Sequence, residues 1–212
     1  MSNKLLDIHT HHNDGTPGEA IVNMSPSDFL VEPGRWYSVG VHPWQLIDAM
    51  TDDMAKLYEL AVHPQVLAIG ETGFDRLKHF DYDVQMMSFQ MHSFLSEENQ
   101  KPLVIHAVRA TDLLLLAMKE LEPEQPWIIH GFRGNPIEAR QLLNAGFYLS
   151  YGERYNVFSL RNTPLDRLFL ETDEADIDIH ELYNKVAEDL HLEEEELLEE
   201  VQENIEEVFS VC

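Results

Sequence analysis

Eight short apolar runs, each followed by a polar or glycine-containing turn and usually by a helix-period stretch, predict an α/β fold: a (β/α)8 TIM barrel. Two further observations agree. The runs "VLAIG", "PLVIH" and "WIIH" are apolar on both faces, as parallel strands covered by helices should be. Histidines collect at the C-terminal ends of these runs, where a barrel gathers its loops on one face. At 212 residues the chain lies near the lower limit for such a barrel, ~200 residues. No linker, internal repeat or low-complexity segment marks a second domain, so one domain is expected over 1–212.

The predicted strands cover residues 5–9, 20–24, 36–41, 66–70, 103–106, 127–130, 147–150 and 168–171. Between the first three, helices are expected to be missing or vestigial. "NDGTPG" is too short and too rich in glycine and proline for a helix, and "SPSDFLVEPG" allows about one turn. A flank that bare would expose apolar barrel surface, which makes a monomer or a weak homodimer the expected state. Later connections are helical. Val84, Met87, Met91 and Phe94/Leu95 share one face, "ATDLLLLAMKEL" reads as a helix after an N-terminal Thr or Asp, and "QLLNAG" ends a helix at a glycine. Two amphipathic helices follow, with Ile179, Leu182, Val186 and Leu190 on one and Leu197, Val201, Ile205 and Val208 on the other.

Composition excludes some classes. The longest uninterrupted Leu/Ala/Met run, Leu113 to Met118, is far too short to cross a bilayer, so no membrane association is expected. No secretory signal opens the chain, and its one cysteine, Cys212, is the last residue, so a reduced, cytoplasmic setting is expected. The net charge of -25 argues against a non-specific coating of polyanions. The acidity is uneven, with seventeen acidic residues against Lys185 alone from Glu171 onward. A small phosphate site in the less acidic remainder stays compatible with it.

The candidate chemistry lies at strand ends: His9, His11, His42, His106 and His130, with Glu71 after strand four and Asp173 after strand eight. In a strand, residues i and i+2 face the same side, so His9 and His11 can grip one ion together. Asp7 points the same way one layer deeper, as their support, whereas His12 faces the other way. Glu71 has two oxygens and can bridge two cations, and His106 and His130 on neighbouring strands can complete a second site. Imidazole and carboxylate ligands suit Zn, Mn, Fe or Co, and with waters Mg. Open coordination positions would let a metal make water acidic enough to attack near neutral pH.

The ordered segments "DIHTH", "GVHPW", "GETGFD", "PLVIH", "IHGFRG", "YLSYG", "LETD" and "NIEEVF" resemble those of the TatD-like metal-dependent hydrolases of the amidohydrolase superfamily. The resemblance implies two divalent metal ions (Zn, Mg or Mn) and hydrolysis of phosphoesters, with DNA ends or nucleotides as substrates and deoxyribonuclease-type activity. It places His9, His11, Glu71 and Asp173 on one metal and Glu71, His106 and His130 around the second. It gives Asp173 the task of orienting or deprotonating the attacking water, and sets His42 beside the substrate phosphate or leaving oxygen. The opening "DIHTH…DG" also resembles PHP phosphoesterases, but the Glu71 segment and "ETD" favour the TatD pattern.

The departures concern substrate contacts. The usual H-x-R after strand five is His106-Ala107-Val108, with Arg109 one place later. Gly131 and Arg133 replace a cysteine and a serine, and Glu174-Ala175 replaces Ser-Pro. Independently of the resemblance, Arg76, Arg109, Arg133 and Arg154 each follow one of strands four to seven and are candidate phosphate clamps. The alternative chemistry is carboxylic-ester or amide hydrolysis, as by an aminoacyl-ester deacylase, on the same metals.

Overall fold

In the computed structural model, residues 4–46, 52–77 and 82–210 are described. Cys212 lies outside them. Eight parallel strands run in sequence order around the sheet: β1 (Asp7–Thr10), β2 (Ala20–Met24), β3 (Trp36–Val39), β4 (Val66–Asp75), β5 (Leu103–Val108), β6 (Trp127–Ile129), β7 (Tyr148–Tyr151) and β8 (Leu168–Leu170). The helices are α1 (Asp52–Leu60), α2 (Tyr82–Asn99), α3 (Thr111–Leu121), α4 (Pro136–Asn144), α5 (Val157–Leu160), α6 (Ile179–Leu190) and α7 (Glu194–Phe209), with a 3-10 turn at Leu165–Arg167. The predicted barrel is therefore present. β4 runs on through Asp75, five residues past its expected end, which carries Glu71 inside the strand.

The barrel closes weakly between β8 and β1. Thr10 and Asp173 form an isolated parallel bridge. His11 N–H donates to the Asp173 carbonyl and Asp173 N–H to that of His9, each at 3.0 Å. Below them Asp7 ties the two strands together. Its carboxylate accepts from the backbone N–H groups of His9 (3.1 Å) and Thr172 (3.2 Å) and from the Thr172 hydroxyl (2.7 Å). Burial pushes this carboxyl up to about 7 against those hydrogen bonds.

The C-terminal helices cover the same seam from outside. Leu182, Val186, Leu197, Val201 and Ile205 are buried as expected. Asn204 donates to the carbonyls of Leu165 (2.7 Å) and Leu168 (3.0 Å), and the Phe209 ring packs 5.7 Å from that of Phe169. This explains the terminal "NIEEVF" physically: Asn204 satisfies carbonyls at the start of β8, and Phe209 packs beneath them.

No helix separates β1 from β2 or β2 from β3, as the sequence predicts. The larger departure is α2. Leu95 is buried, but Met87, Met91 and Phe94 of the expected apolar face are 46%, 42% and 54% exposed. The helix instead buries Gln85, Ser88, Phe89, His92, Ser93 and Ser96 against the barrel. Small and hydrogen-bonded side chains let it lie close to β4, and His92 accepts the Val41 N–H (2.9 Å) while its Nδ1 faces the Ser88 carbonyl (2.7 Å). The α3 cap also differs: Ala110 is the N-cap, without a side-chain hydrogen bond.

Candidate metal centre

The C-terminal ends of the strands converge on Glu71, whose side chain is 3% exposed. Its backbone N–H donates to Asn23 Oδ1 (3.0 Å), and Ser38 holds the same oxygen (3.0 Å), so β2 and β3 fix where the carboxylate sits. Gly73 two residues on is required by close approach: with φ +145, a Cβ there would collide with the His106 carbonyl.

Five imidazoles surround this carboxylate. His9 Nε2 and His11 Nε2 each lie 3.6 Å from Oε2. On the other oxygen, His42 Nε2 is at 3.2 Å, His106 Nδ1 at 2.8 Å and His130 Nε2 at 2.8 Å. Asp173 completes the rim, with Oδ1 3.7 Å from His11 Nε2. Its backbone adopts φ +56, a left-handed conformation uncommon for a residue other than glycine and held here by the two bonds to β1. The rim thus unites all seven candidate residues of the sequence. His12 lies apart and exposed, as expected.

The residues fit metal binding on two independent grounds. Both ring nitrogens of the fully buried His9 lack a hydrogen-bond partner, an arrangement that is costly unless a ligand takes a lone pair. Ligand atoms bound at 2.0–2.2 Å in a tetrahedron stand about 3.3–3.6 Å apart, close to the 3.6 Å of His9 and His11 from Oε2 and the 3.2 Å of His42 from Oε1, whereas His106 and His130 stand at hydrogen-bond distance, 2.8 Å. Three groups bring their ligand atoms within 4.8 Å of one another: His9, His11 and Glu71; His9, His130 and Asp173; His42, Glu71 and His106.

The electrostatics follow from packing. Burial alone would raise the Glu71 carboxyl, but the charge of His130 and hydrogen bonds from His106, His11 and His130 hold it well below the usual range. Burial would lower His130, but Glu71 and Glu171 hold it well above. His9, buried and beside His130, is held well below.

The arginines part ways. Arg76 makes two hydrogen bonds to Asp112 (2.8 and 2.7 Å) and one to the Arg109 carbonyl (3.0 Å), so its guanidinium is already engaged. Arg133 reaches within 4.0 Å of Asp173 and lines two cavities beside it. One, about 230 Å³, also holds Arg154 and the other, about 500 Å³, Arg109, Trp44 and Phe132.

Three groups with no role assigned from sequence also belong here. Asn23 holds Glu71. Asp75 lies 3.4 Å from His106 Nε2 and accepts the Trp44 indole N–H (2.6 Å). Glu171 lies 3.3 Å from His130 Nδ1. The i, i+2 parity that paired His9 with His11 also pairs Glu71 with Asp75 and Glu171 with Asp173, and could have found both carboxylates.

A (β/α)8 barrel with an imidazole–carboxylate cluster at its C-terminal mouth defines a metal-centre class of barrel protein. Within that class the chain belongs to the TatD related DNase family, whose model matches residues 30–210. It is 34% identical over 147 residues to YabD of Bacillus subtilis, named an uncharacterized metal-dependent hydrolase, covering 64% of this chain and 57% of that one. It is 31% identical over 155 residues to Deoxyribonuclease Tat-D of Schizosaccharomyces pombe, covering 64% and 50%. The matched stretch thus spans about half the length of these relatives. The fold matches that of YjjV, a TatD homologue from Escherichia coli, with TM-score 0.84 and 19% identity over 100% of both chains. It also matches a TatD family protein from Entamoeba histolytica, with TM-score 0.79 and 18% identity over 99% of both.

Proposed function

We propose that this chain is a metal-dependent hydrolase of phosphoesters, acting as a phosphodiesterase or deoxyribonuclease on nucleic-acid ends or nucleotides. The observation that carries the reading is Glu71, a buried carboxylate with imidazoles against both of its oxygens. His9, His11, Glu71 and Asp173 would hold one divalent cation, and Glu71, His106 and His130 a second, with Zn, Mn or Mg fitting the donor set. When bound, such ions supply Lewis acidity and make water a competent nucleophile near neutral pH.

The chain's own residues do the rest. Asp173, 24% exposed and clamped to β1, orients the attacking water and takes its proton on a carboxylate oxygen. His42 contacts the substrate phosphate or the leaving oxygen from the opposite side of Glu71. Arg133 and Arg109 bind the phosphate, with Arg154 at the edge, whereas Arg76 would first have to leave Asp112. Glu153 and Glu174 beside Arg154 disfavour a long polyanion and favour a terminal or small phosphate. The deoxyribonuclease name of the fission-yeast relative supports the same substrate class.

The test is a rate panel with Mn, Mg, Zn and Co on single-stranded DNA, nucleotides, a small phosphodiester and an aminoacyl ester. Cation-dependent hydrolysis of the phosphodiesters is expected. Turnover of the aminoacyl ester alone would contradict the assignment in favour of carboxylic-ester chemistry.

A further inference from the structure

We propose that Glu171 is a positioning residue for His130, holding the imidazole so that Nε2 faces Glu71 and the metal centre. The inference rests on the metal reading above and extends it to a residue outside the ligand set.

His106 and His130 meet the same oxygen of Glu71, each at 2.8 Å, but with different nitrogens: Nδ1 from His106 and Nε2 from His130. In both rings the remaining nitrogen faces a second buried carboxylate. Asp75 Oδ2 stands 3.4 Å from His106 Nε2, and Glu171 Oε1 stands 3.3 Å from His130 Nδ1. A neutral imidazole has one N–H and one lone pair, and an ionised carboxylate only accepts. While the site holds no cation the inward nitrogen donates to Glu71; when a cation instead takes the inward lone pair, the outer carboxylate is the acceptor left for the other N–H and so selects the tautomer. Such partners of ligating histidines set ring orientation and basicity.

The surroundings of Glu171 separate a positioning role from a packing role. Its side chain is 0% exposed, and Oε2 has no hydrogen-bond partner. Among the described residues, His130 is the only side-chain hydrogen-bond partner of this carboxylate. One oxygen without a partner carries a desolvation cost, and the other meets the imidazole that the carboxylate would position. Asp75 is different, since Trp44 (2.6 Å) and the Leu77 N–H (2.7 Å) anchor both of its oxygens. Glu171 is consequently the sharper test.

The experiment titrates the full chain, stripped of metal by chelation, with Mn2+ alone. Glu171→Leu is expected to bind the cation about 10–100-fold more weakly. Glu171→Gln, whose amide oxygen still accepts from Nδ1–H, is expected to recover part of that loss. Mn2+ affinity of the Leu variant within twofold of wild type would overturn the positioning role. So would Leu and Gln variants that lose affinity equally, since the amide oxygen would then recover nothing. A wild-type chain that takes up no cation would instead overturn the metal reading, and this inference with it.

Discussion

His9 and Asp173 meet across the seam of the barrel, and their separate burdens show how the site is divided. His9 is wholly buried with two unpartnered nitrogens, which suits a ligand and nothing else nearby. Asp173 is more open and lies 4.0 Å from Arg133, which suits a group that handles water and substrate. Asp173→Asn is accordingly expected to cut turnover by about 10²–10⁴-fold with a smaller loss of bound metal. Turnover and metal content falling in proportion would make it a ligand alone. At this scale much of the rim was legible, because period-two spacing reports which strand-end groups share a side. The partners behind His106 and His130 follow the same parity, yet "GETGFD" and "LETD" do not say which carboxylate faces the metal centre and which faces an imidazole. That depends on how far the strands extend, and β4 runs five residues past the end its sequence suggests.

Among the elements, strands were far more legible than the outward faces of helices. A run apolar on both sides has only one place to go, and "VLAIG", "PLVIH" and "WIIH" all occupy it, in β4, β5 and β6. The stripe Met87, Met91 and Phe94 had two, and α2 turns it outward because Ser88, Ser93 and Ser96 allow closer approach to the sheet and His92 secures the loop that carries His42. His92 gives this element a pH signature. Burial lowers its pKa from 6.5 to about 4, so the unfolded chain binds this proton first as pH falls. Its stabilising contribution is complete above pH 6.5 and is lost as pH drops toward 4, by about 3 kcal/mol in all. Urea melts of His92→Gln should therefore lose less stability between pH 7 and pH 5 than wild type, by about 2 kcal/mol. Equal losses in the two proteins would contradict a neutral His92 in the folded chain.

The whole molecule carries a net charge of -25, yet its proposed substrate is an anion. The acidity lies largely on α6, α7 and the segment before them, so on the proposed reading the metal face would meet a phosphate through a few arginines and its cations rather than through a basic surface. The KM for a single-stranded oligonucleotide should then change little between 50 and 200 mM salt. A steep rise in KM over that range would indicate many phosphate contacts and contradict a terminal-phosphate mode. Among the described residues no helix is long and apolar enough to cross a membrane. The reduced flank between β1 and β3 explains how so short a chain still closes a barrel. All of this turns on Glu71 as the hub of the metal centre. The most direct measurement is the number of Mn2+ ions bound per chain by Glu71→Gln beside wild type. The account predicts two for wild type and the loss of at least one in the variant; the same number in both would contradict it.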